Sequence, residues 1–305
     1  WVGTGENNNQ RSVAYGDGKF RDLTADELDS RLSSLSGPHA VVMRANAIWP
    51  ELGEASMNLR ASRGRSGQSL SMGIQHCSPL IAQVSHQPSH QLDVERPQVF
   101  ISGEIHGDER IGPQSALFIS ELLVWSAQCE ISLVRTACGR LEQMGVLKEE
   151  RIWLAYLSSR RDTYIVPAAN CLGYASGVRT DAGIDPNRDF PYSRRDDKCL
   201  RSTTAKTLYL LFTSLMAQVV VTFHGGMIAL SYEWGSENPR PPHDHSPDEA
   251  AHLGMAMGMA KIAGDSAKGV PFYKPGTINS IVYSVPGGME DWMYAAGWDQ
   301  KENRQ

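Results

Sequence analysis

The sequence lacks the features that define several large classes of protein. Its 305 residues contain no apolar run as long as a membrane-spanning helix. A net charge of −5 argues against the broad basic surface that nucleic acids require. Only five cysteines are present and none forms a Cys-x-x-Cys pair, which disfavours a disulfide scaffold and a cysteine-ligated zinc site. We therefore expect neither a membrane span nor a nucleic-acid partner.

Helical and strand-like segments alternate along the chain, which predicts an α/β fold. Thr24 and Glu27 form a capping-box pattern, so a helix is expected to begin there. Residues 219–223 are apolar and predict a strand. We expect one domain over residues 21–305 with a largely parallel sheet. Residues 1–20 are polar, rich in Asn and Gly, and are expected to form an arm.

Other segments carry shorter structural signals. Strands are predicted at residues 151–157, 164–166 and 280–285, and buried helices at residues 119–126 and 208–215. Residues 246–249 read Ser-Pro-Asp-Glu, a capping-box pattern with Pro at the first helical position, which predicts a helix reaching Gly264. The long irregular stretch at residues 171–201 is typical of a functional loop.

Two predicted strands end in histidines. The strand within residues 97–113 ends in a glycine, and His106 and Glu109 follow in the next loop. His224 follows the strand at residues 219–223 and precedes two glycines. Ligands of open α/β sheets bind at the carboxyl ends of strands. Two histidines and one glutamate would form a known ligand set of catalytic zinc, although each residue alone also fits a structural role.

The segment between these histidines supplies candidate groups for binding a carboxylate. Arg188 follows Asn187 directly, and Arg179 lies eight residues before Asn187. Arginine can bind a carboxylate through two parallel hydrogen bonds, and asparagine adds a further donor. Each arginine taken alone also fits a solvated surface charge. Cys171 and Cys199 flank this segment, and a disulfide between them is an open possibility that only geometry can decide.

Taken in order and at comparable spacing, these residues resemble the zinc metallocarboxypeptidases, most closely the regulatory carboxypeptidase N/E branch. The resemblance spans residues 20–298 and implies a mixed, mostly parallel twisted sheet flanked by helices on both faces. The matching pieces are His106-x-x-Glu109, Asn170, Gly173-Tyr174, Arg179, Asp185-x-Asn187-Arg188-x-Phe190-Pro191, His224-Gly225-Gly226 and the block from Tyr283 to Trp292.

The resemblance implies a role for each matching residue. His106, Glu109 and His224 would bind one zinc ion. Asp185 would orient the His106 ring, because ligating imidazoles usually donate their other N–H to such a partner.

The remaining matches imply a site for a peptide C-terminus. Asn187 and Arg188 would bind the terminal carboxylate of the substrate, Arg179 would stabilise the oxyanion, and Tyr283 would close over the peptide end. Glu290 would form the floor of the side-chain pocket and favour a C-terminal Lys or Arg. A position of Glu290 in solvent is the alternative, since the charge argument requires burial.

The family's general-base glutamate has no counterpart in this sequence. The family spacing from Tyr283 leads to Gln305, and nearby Glu302 lies in a polar run without strand character. Either the chain continues past residue 305, so that a final strand and helix are missing here, or the base is lost. Without a base the site would turn over poorly, because general-base catalysis contributes roughly 10²–10⁴-fold.

Three functions remain in view. The first is a secreted or lumenal zinc carboxypeptidase that removes single C-terminal residues, with a possible preference for basic ones. The second is a catalytically inactive zinc-binding module that recognises peptide C-termini or serves as a structural subunit. The third is an aspartoacylase-like deacylase, a group that shares His-x-x-Glu and the Asn-Arg pair but not the block at residues 283–292.

Overall fold

The computed structural model describes residues 22–52, 55–58, 74–88, 96–103, 105–192, 198–236, 245–264 and 272–295. The expected polar arm at residues 1–20 lies outside these described residues. The chain divides into two compact units. The larger unit contains Asp22–Ile184 and Ser202–Gly225, and the smaller unit contains the described parts of Asp185–Arg201 and Gly226–Gln305.

A mixed five-stranded sheet is the framework of the larger unit, which confirms the α/β class. Strands predicted at residues 164–166 and 219–223 are confirmed within this sheet. In order of pairing its strands are β1 (Ala40–Arg44), β4 (Leu80–Val84), β6 (Asp162–Val166), β5 (Gln98–Gly103) and β7 (Ala217–Phe223). β4 is antiparallel to β1 and β6, and β5 is parallel to β6 and β7. A separate antiparallel pair comprises β2 (Ala55–Asn58) and β3 (Ile74–Cys77).

Helices connect these strands. The predicted capping box is confirmed, because Glu27 N donates to Thr24 Oγ1 at 3.2 Å and Thr24 N donates to Glu27 Oε2 at 2.9 Å. The buried helices predicted at residues 119–126 and 208–215 fall in the helices Ile111–Glu130 and Thr203–Thr213. The helices are α1 (Ala25–Ser33), α2 (Ala45–Ile48), α3 (Ile111–Glu130), α4 (Arg135–Gln143), α5 (Lys148–Arg160), α6 (Cys171–Ser176) and α7 (Thr203–Thr213), with a 3₁₀ turn at Pro50–Leu52.

Helix α3 is anchored in the core of the larger unit. Leu32 of α1 and Leu117 of α3 are fully buried in one apolar cluster with strand residues of the sheet. Burial of each such side chain contributes about 1.5–3 kcal/mol. Arg31 adds a two-pronged ion pair, with its Nη2 atom 2.6 and 2.7 Å from the two carboxylate oxygens of Glu121. These contacts fix α3, and they therefore fix the loop that leads into it from β5.

The smaller unit contains a parallel strand pair and three helices in its described part. Its elements are a 3₁₀ turn (Pro186–Arg188), β8 (Ala229–Tyr232), α8 (Glu249–Ala263), β9 (Lys274–Thr277), α9 (Ile278–Ile281) and α10 (Met289–Ala295). Asp291 of α10 accepts hydrogen bonds from the backbone N–H groups of Gly235 at 2.7 Å and Ser236 at 2.9 Å. This carboxylate ties α10 to the turn after β8. Among the described residues, no helix combines the length and apolar character that crossing a membrane requires.

Two predicted strands are wrong. Residues 151–157 lie in helix α5. Arg151, Ala155 and Ser158 are buried at helical spacing and Leu154 packs on the core, whereas the other large apolar side chains of the helix are exposed. Residues 280–285 follow β9 and begin in the short helix α9, where Val282 N donates to the carbonyl of Ile278 at 2.9 Å.

One further expectation needs correction, and one open possibility is decided by the geometry. The capping box expected at Ser246 is wrong. Helix α8 begins at Glu249 with Asp248 as its N-cap, and no side chain caps it. Glu249 N donates to the carbonyl of Ser246 and not to its hydroxyl. Cys171 forms its disulfide with Cys77 and not with Cys199. Cys171 opens α6, which packs against β3, and Cys77 is the last residue of β3.

The loop after β5 packs so closely against α6 that it requires glycines. A Cβ atom on Gly107 would lie 2.1 Å from the carbonyl carbon of Gly173 and 2.3 Å from the carbonyl oxygen of Val178. A Cβ atom on Gly173 would lie 2.5 Å from the same oxygen of Val178. The backbone N–H of Gly107 donates to the carbonyl of Arg179 at 3.1 Å, which holds the two segments at this distance.

We expect Gly107→Ala to destabilise the protein by at least about 1–3 kcal/mol, because backbone atoms must move to admit the methyl group. Gly139→Ala is the matched control, since a Cβ at Gly139 in α4 would meet no atom within 4 Å. Alanine favours helix over glycine, so the control should be neutral or stabilising. Urea unfolding followed by circular dichroism measures both variants. Equal stability of G107A and G139A would contradict the close packing.

Candidate metal centre

The first candidate ligand lies in the loop directly after β5. His106 is 2% exposed and precedes the close contact at Gly107. Glu109 N donates to the carbonyl of His106 at 3.1 Å, which closes a tight turn between the two residues. The turn brings the two side chains together, with His106 Nδ1 2.9 Å from Glu109 Oε1. The three-residue spacing seen in the sequence therefore becomes direct contact between an imidazole and a carboxylate.

The second histidine reaches the same point from the neighbouring strand. β5 and β7 are parallel, and Gly103 at the end of β5 lies opposite Phe223 at the end of β7. His224 follows Phe223, so the two histidines leave the same edge of the sheet. His224 Nδ1 lies 2.8 Å from Glu109 Oε2, and the backbone N–H of Gly225 donates to the same oxygen at 2.9 Å.

The three side chains have the donor chemistry of a zinc site. One potential ligand atom from each of His106, Glu109 and His224 lies within 4.8 Å of the other two. Zinc in proteins accepts imidazole nitrogen and carboxylate oxygen, and catalytic sites use three protein ligands. The structure thus brings together the three residues that the sequence predicted as ligands.

Electrostatics favour the charged form of the carboxylate. Burial alone would raise the pKa of Glu109, but the hydrogen bonds from His106 and His224 and the favourable electrostatics of these two groups outweigh it. The net effect holds the pKa of Glu109 below its ordinary value. An ionised carboxylate is the form that binds a divalent cation.

Arg179 lies against the same cluster. Its Nη1 donates to Glu109 Oε1 at 3.1 Å, and its Nη2 lies 2.9 Å from His106 Nε2. Because arginine only donates hydrogen bonds, this contact assigns the His106 proton to Nδ1. About a third of the Arg179 side chain is exposed to solvent. The predicted oxyanion role of Arg179 stays a prediction, and its guanidinium lies beside two of the three candidate ligands.

Asn170 supports the position of Arg179, a role that we did not predict. Asn170 is 1% exposed and caps α6 by accepting a hydrogen bond from Gly173 N at 2.9 Å. Its side-chain amide donates to the carbonyl of Arg179 at 3.1 Å. The sequence predicts an irregular stretch at residues 171–201 and no helix there, so this cap had no usable signal. The second contact depends on the folded loop.

The candidate carboxylate-binding residues lie in the smaller unit. Asp185 Oδ1 accepts from the backbone N–H of Asn187 at 3.0 Å, which stabilises the turn that contains Asn187. Asn187 is 3% exposed, accepts from Met289 N at 2.8 Å and donates to Glu290 Oε1 at 3.1 Å. The asparagine side chain is therefore held rigidly. The predicted contact of Asp185 with His106 stays a prediction.

Glu290 and Arg188 present charges in the same unit. Glu290 Oε2 is buried and has no hydrogen-bond partner among the described residues. Arg188 Nη1 donates to the carbonyl of Asn187 at 2.8 Å, and its guanidinium carbon lies 5.8 Å from the centre of the Tyr283 ring. Tyr283 is half exposed. Successive contacts thus link the four candidate substrate-binding residues, Glu290, Asn187, Arg188 and Tyr283.

The relatives that this chain matches in sequence are named carboxypeptidases. The chain is 25% identical over 222 residues to carboxypeptidase SOL1 from Arabidopsis thaliana, covering 71% of this chain and 40% of the relative. It is 26% identical over 250 residues to human carboxypeptidase Z, covering 70% of this chain and 37% of the relative. The chain therefore spans about two-fifths of the length of these relatives.

Solved structures show the same fold at lower identity. Carboxypeptidase A from Helicoverpa armigera matches with a TM-score of 0.58 and 14% identity, covering 90% of this chain and 62% of the other. A thrombin-activatable fibrinolysis inhibitor matches with a TM-score of 0.56 and 16% identity, covering 91% and 64%.

The match to a family model is consistent with the His-Glu-His cluster. The model described as zinc carboxypeptidase matches residues 78–301, a span that includes all three candidate ligands and the segment around Asn187. With that span covering more than half of its length, the chain belongs to the zinc carboxypeptidase family.

Proposed function

We propose that this protein is a zinc-dependent carboxypeptidase that removes the C-terminal residue of peptides or proteins and prefers Lys or Arg there. The observation that carries the proposal is the convergence of His106, Glu109 and His224 in a member of the zinc carboxypeptidase family. The family supports zinc chemistry and an exopeptidase fold. The activity of this chain and its preference for basic residues are the proposed steps.

His106, Glu109 and His224 would hold the metal. When bound, zinc supplies Lewis acidity, which polarises a carbonyl oxygen and lowers the pKa of water. A ligating imidazole nitrogen carries no proton, so His106 and His224 would each offer an unprotonated nitrogen. Arg179, which lies beside His106 and Glu109, would donate to the negative charge that develops on the scissile carbonyl oxygen.

Arg188 and Asn187 would bind the terminal carboxylate of the substrate. Asparagine has two side-chain N–H donors, and Glu290 takes one of them. The other donor of Asn187 and the guanidinium of Arg188 together suit a planar carboxylate. Tyr283, half exposed beside Arg188, would cover the bound end.

Glu290 supports a preference for basic residues. A buried carboxylate oxygen without a hydrogen bond is costly, and Glu290 Oε2 has no such partner among the described residues. The ammonium of a substrate lysine or the guanidinium of an arginine would satisfy it with a charge-assisted hydrogen bond. This favours the pocket position of Glu290 over the solvent position.

The catalytically inactive module is the second candidate, because no general base is assigned among the described residues. Glu302 and its neighbours lie outside the described residues. An inactive module would bind zinc and peptide ends and release no amino acid. The deacylase is less supported, since the matching family model is that of the zinc carboxypeptidases.

The disulfides support a secreted or lumenal location. Cys77 pairs with Cys171, and Cys129 pairs with Cys138. Disulfides persist in oxidising compartments and are rare in the cytosol.

We expect the protein to bind one zinc ion per chain. His224→Ala should weaken zinc binding by at least about 100-fold, because losing a ligand costs no less affinity than losing a residue that only orients a ligand. Competition with a chromophoric chelator measures the affinity. His245→Ala is the control, because His245 is exposed and pairs with Glu249 outside the cluster. Unchanged zinc affinity in folded H224A would contradict the assigned ligand set.

We expect the zinc-loaded protein to release C-terminal Lys or Arg from peptides, and a chelator to stop the release. Glu290→Gln should lower kcat/KM for a Lys terminus relative to a Leu terminus by roughly 10- to 100-fold, the loss of one charge-assisted hydrogen bond. Glu249→Gln, at a carboxylate that pairs with His245, should leave this ratio unchanged. Mass spectrometry of the cleavage of two peptides that differ only in the last residue measures kcat/KM for the Lys and the Leu terminus.

The outcomes separate the candidates. Zinc and peptide binding without any release would favour the inactive module. Release with an unchanged Lys-to-Leu ratio in E290Q would keep the carboxypeptidase activity and overturn only the role of Glu290. Hydrolysis of acyl amino acids without peptide cleavage would favour the deacylase.

A further inference from the structure

Helix α5 carries large apolar side chains on its outer face. Ile152, Trp153, Tyr156 and Leu157 are between 43% and 67% exposed. Ile152 and Tyr156 are four residues apart, as are Trp153 and Leu157, so the four side chains form one stripe along the helix. The Trp153 and Tyr156 rings contact edge to face at a centroid distance of 5.8 Å. We name these four residues the α5 stripe.

The inner face of α5 has the opposite character. Arg151, Ala155 and Ser158 are the buried residues, and Ser158 Oγ donates to the carbonyl of Leu123 in α3 at 3.2 Å. The helix thus packs inward with small and polar groups and with Leu154, and it turns its aromatic groups to solvent. Contiguous apolar surface of this kind marks an interaction site.

Charges bracket the α5 stripe in an ordered way. Glu149 lies in the first turn of α5 and Arg160 in the last, and both are exposed. At 100° per residue both point in the direction of Trp153 and Tyr156. Arg160 also lies over the Tyr156 ring, with its guanidinium carbon 5.7 Å from the ring centre. One face of α5 therefore runs from acidic through apolar to basic.

We propose that the α5 stripe is a homodimer interface, in which α5 packs antiparallel against α5 of a second copy. A two-fold axis between Trp153 and Tyr156 places each Trp153 opposite Tyr156 of the partner subunit. The same axis places Ile152 opposite Leu157 and Glu149 opposite Arg160, so every group meets a complementary one. Two-fold interfaces require such self-complementary surfaces.

The order of charges favours a second copy over other occupants. A parallel helix pair would set Glu149 against Glu149 and Arg160 against Arg160, which is repulsive. A lipid surface favours helices with basic residues along the polar face, whereas this face has an acid at one end. Antiparallel pairing also opposes the dipoles of the two helices favourably.

The dimer should be weak and concentration-dependent. Helix α5 is 13 residues long, about 20 Å, and offers less than the roughly 800 Å² per partner of a standard interface. We expect a dissociation constant in roughly the micromolar range. Sedimentation velocity over a series of concentrations measures it for the full chain, and circular dichroism confirms that each variant is folded.

A charge swap tests the pairing. Glu149→Arg alone and Arg160→Glu alone should each raise the dissociation constant about tenfold, because two symmetric contacts become repulsive. The double variant E149R/R160E should restore the wild-type value, since opposite charges face each other again. Trp153→Ala should raise the constant more than tenfold as a central aromatic contact is lost. Ile262→Ala in α8, at a residue that is 89% exposed, is the matched control and should change nothing.

Three results would overturn the proposal. The first is a wild-type chain that stays monomeric throughout the concentration series. The second is a wild-type dimer whose dissociation constant is not restored in E149R/R160E. That result would assign the α5 stripe to a partner of different chemistry. The third is Trp153-dependent sedimentation of a monomeric chain with phosphatidylserine vesicles, which would assign the stripe to a membrane surface.

Discussion

The ion-pair cluster around Glu109 is the interaction on which the candidate site depends. One carboxylate accepts contacts from two imidazoles, a guanidinium and a backbone N–H group. These groups come from the loop after β5, the end of β7 and the segment after α6. A buried carboxylate without partners would favour its neutral form. The parallel pairing of β5 and β7 brings His224 to Glu109 and so helps to keep this carboxylate ionised. A metal ion held here by the same three side chains would supply positive charge next to this carboxylate.

Backbone packing sets the precision of this cluster. Gly107 and Gly173 allow the His106 loop and α6 to approach until no side-chain atom fits between them. Asn170 then joins the two segments by capping α6 and holding the carbonyl of Arg179. Side chains of metal sites must be held to within about 0.5 Å, which flexible loops alone do not provide. The glycines and the asparagine therefore serve the site without touching its donor atoms.

Part of the fold and site was predictable because its signals are local. The capping box of α1 and the apolar strand β7 depend on neighbouring residues alone, and His106 and His224 both follow strand ends. The disulfide between Cys77 and Cys171 joins residues 94 positions apart, which spacing cannot reveal. The roles of Asn170 and Gly107 depend on which loops meet, so they appear only in the folded chain. Residue chemistry marked Asn187 and Arg188 as candidate carboxylate-binding groups, whereas the roles of Tyr283 and Glu290 followed only from the family resemblance.

The error at residues 151–157 has a physical cause that bears on function. An apolar run predicts burial, and a short buried run is ambiguous between strand and helix. In the folded chain the run is helical, with only Leu154 among its large apolar groups packed on the core. Sequence patterns place arginine in solvent, but Arg151 is buried and pairs with Glu130 and Glu142. The exposed aromatic groups contribute little to the stability of the isolated chain, because little of their surface leaves water on folding. Such a surface lowers solubility unless another surface covers it, and its ordered charges match a second copy of the same helix.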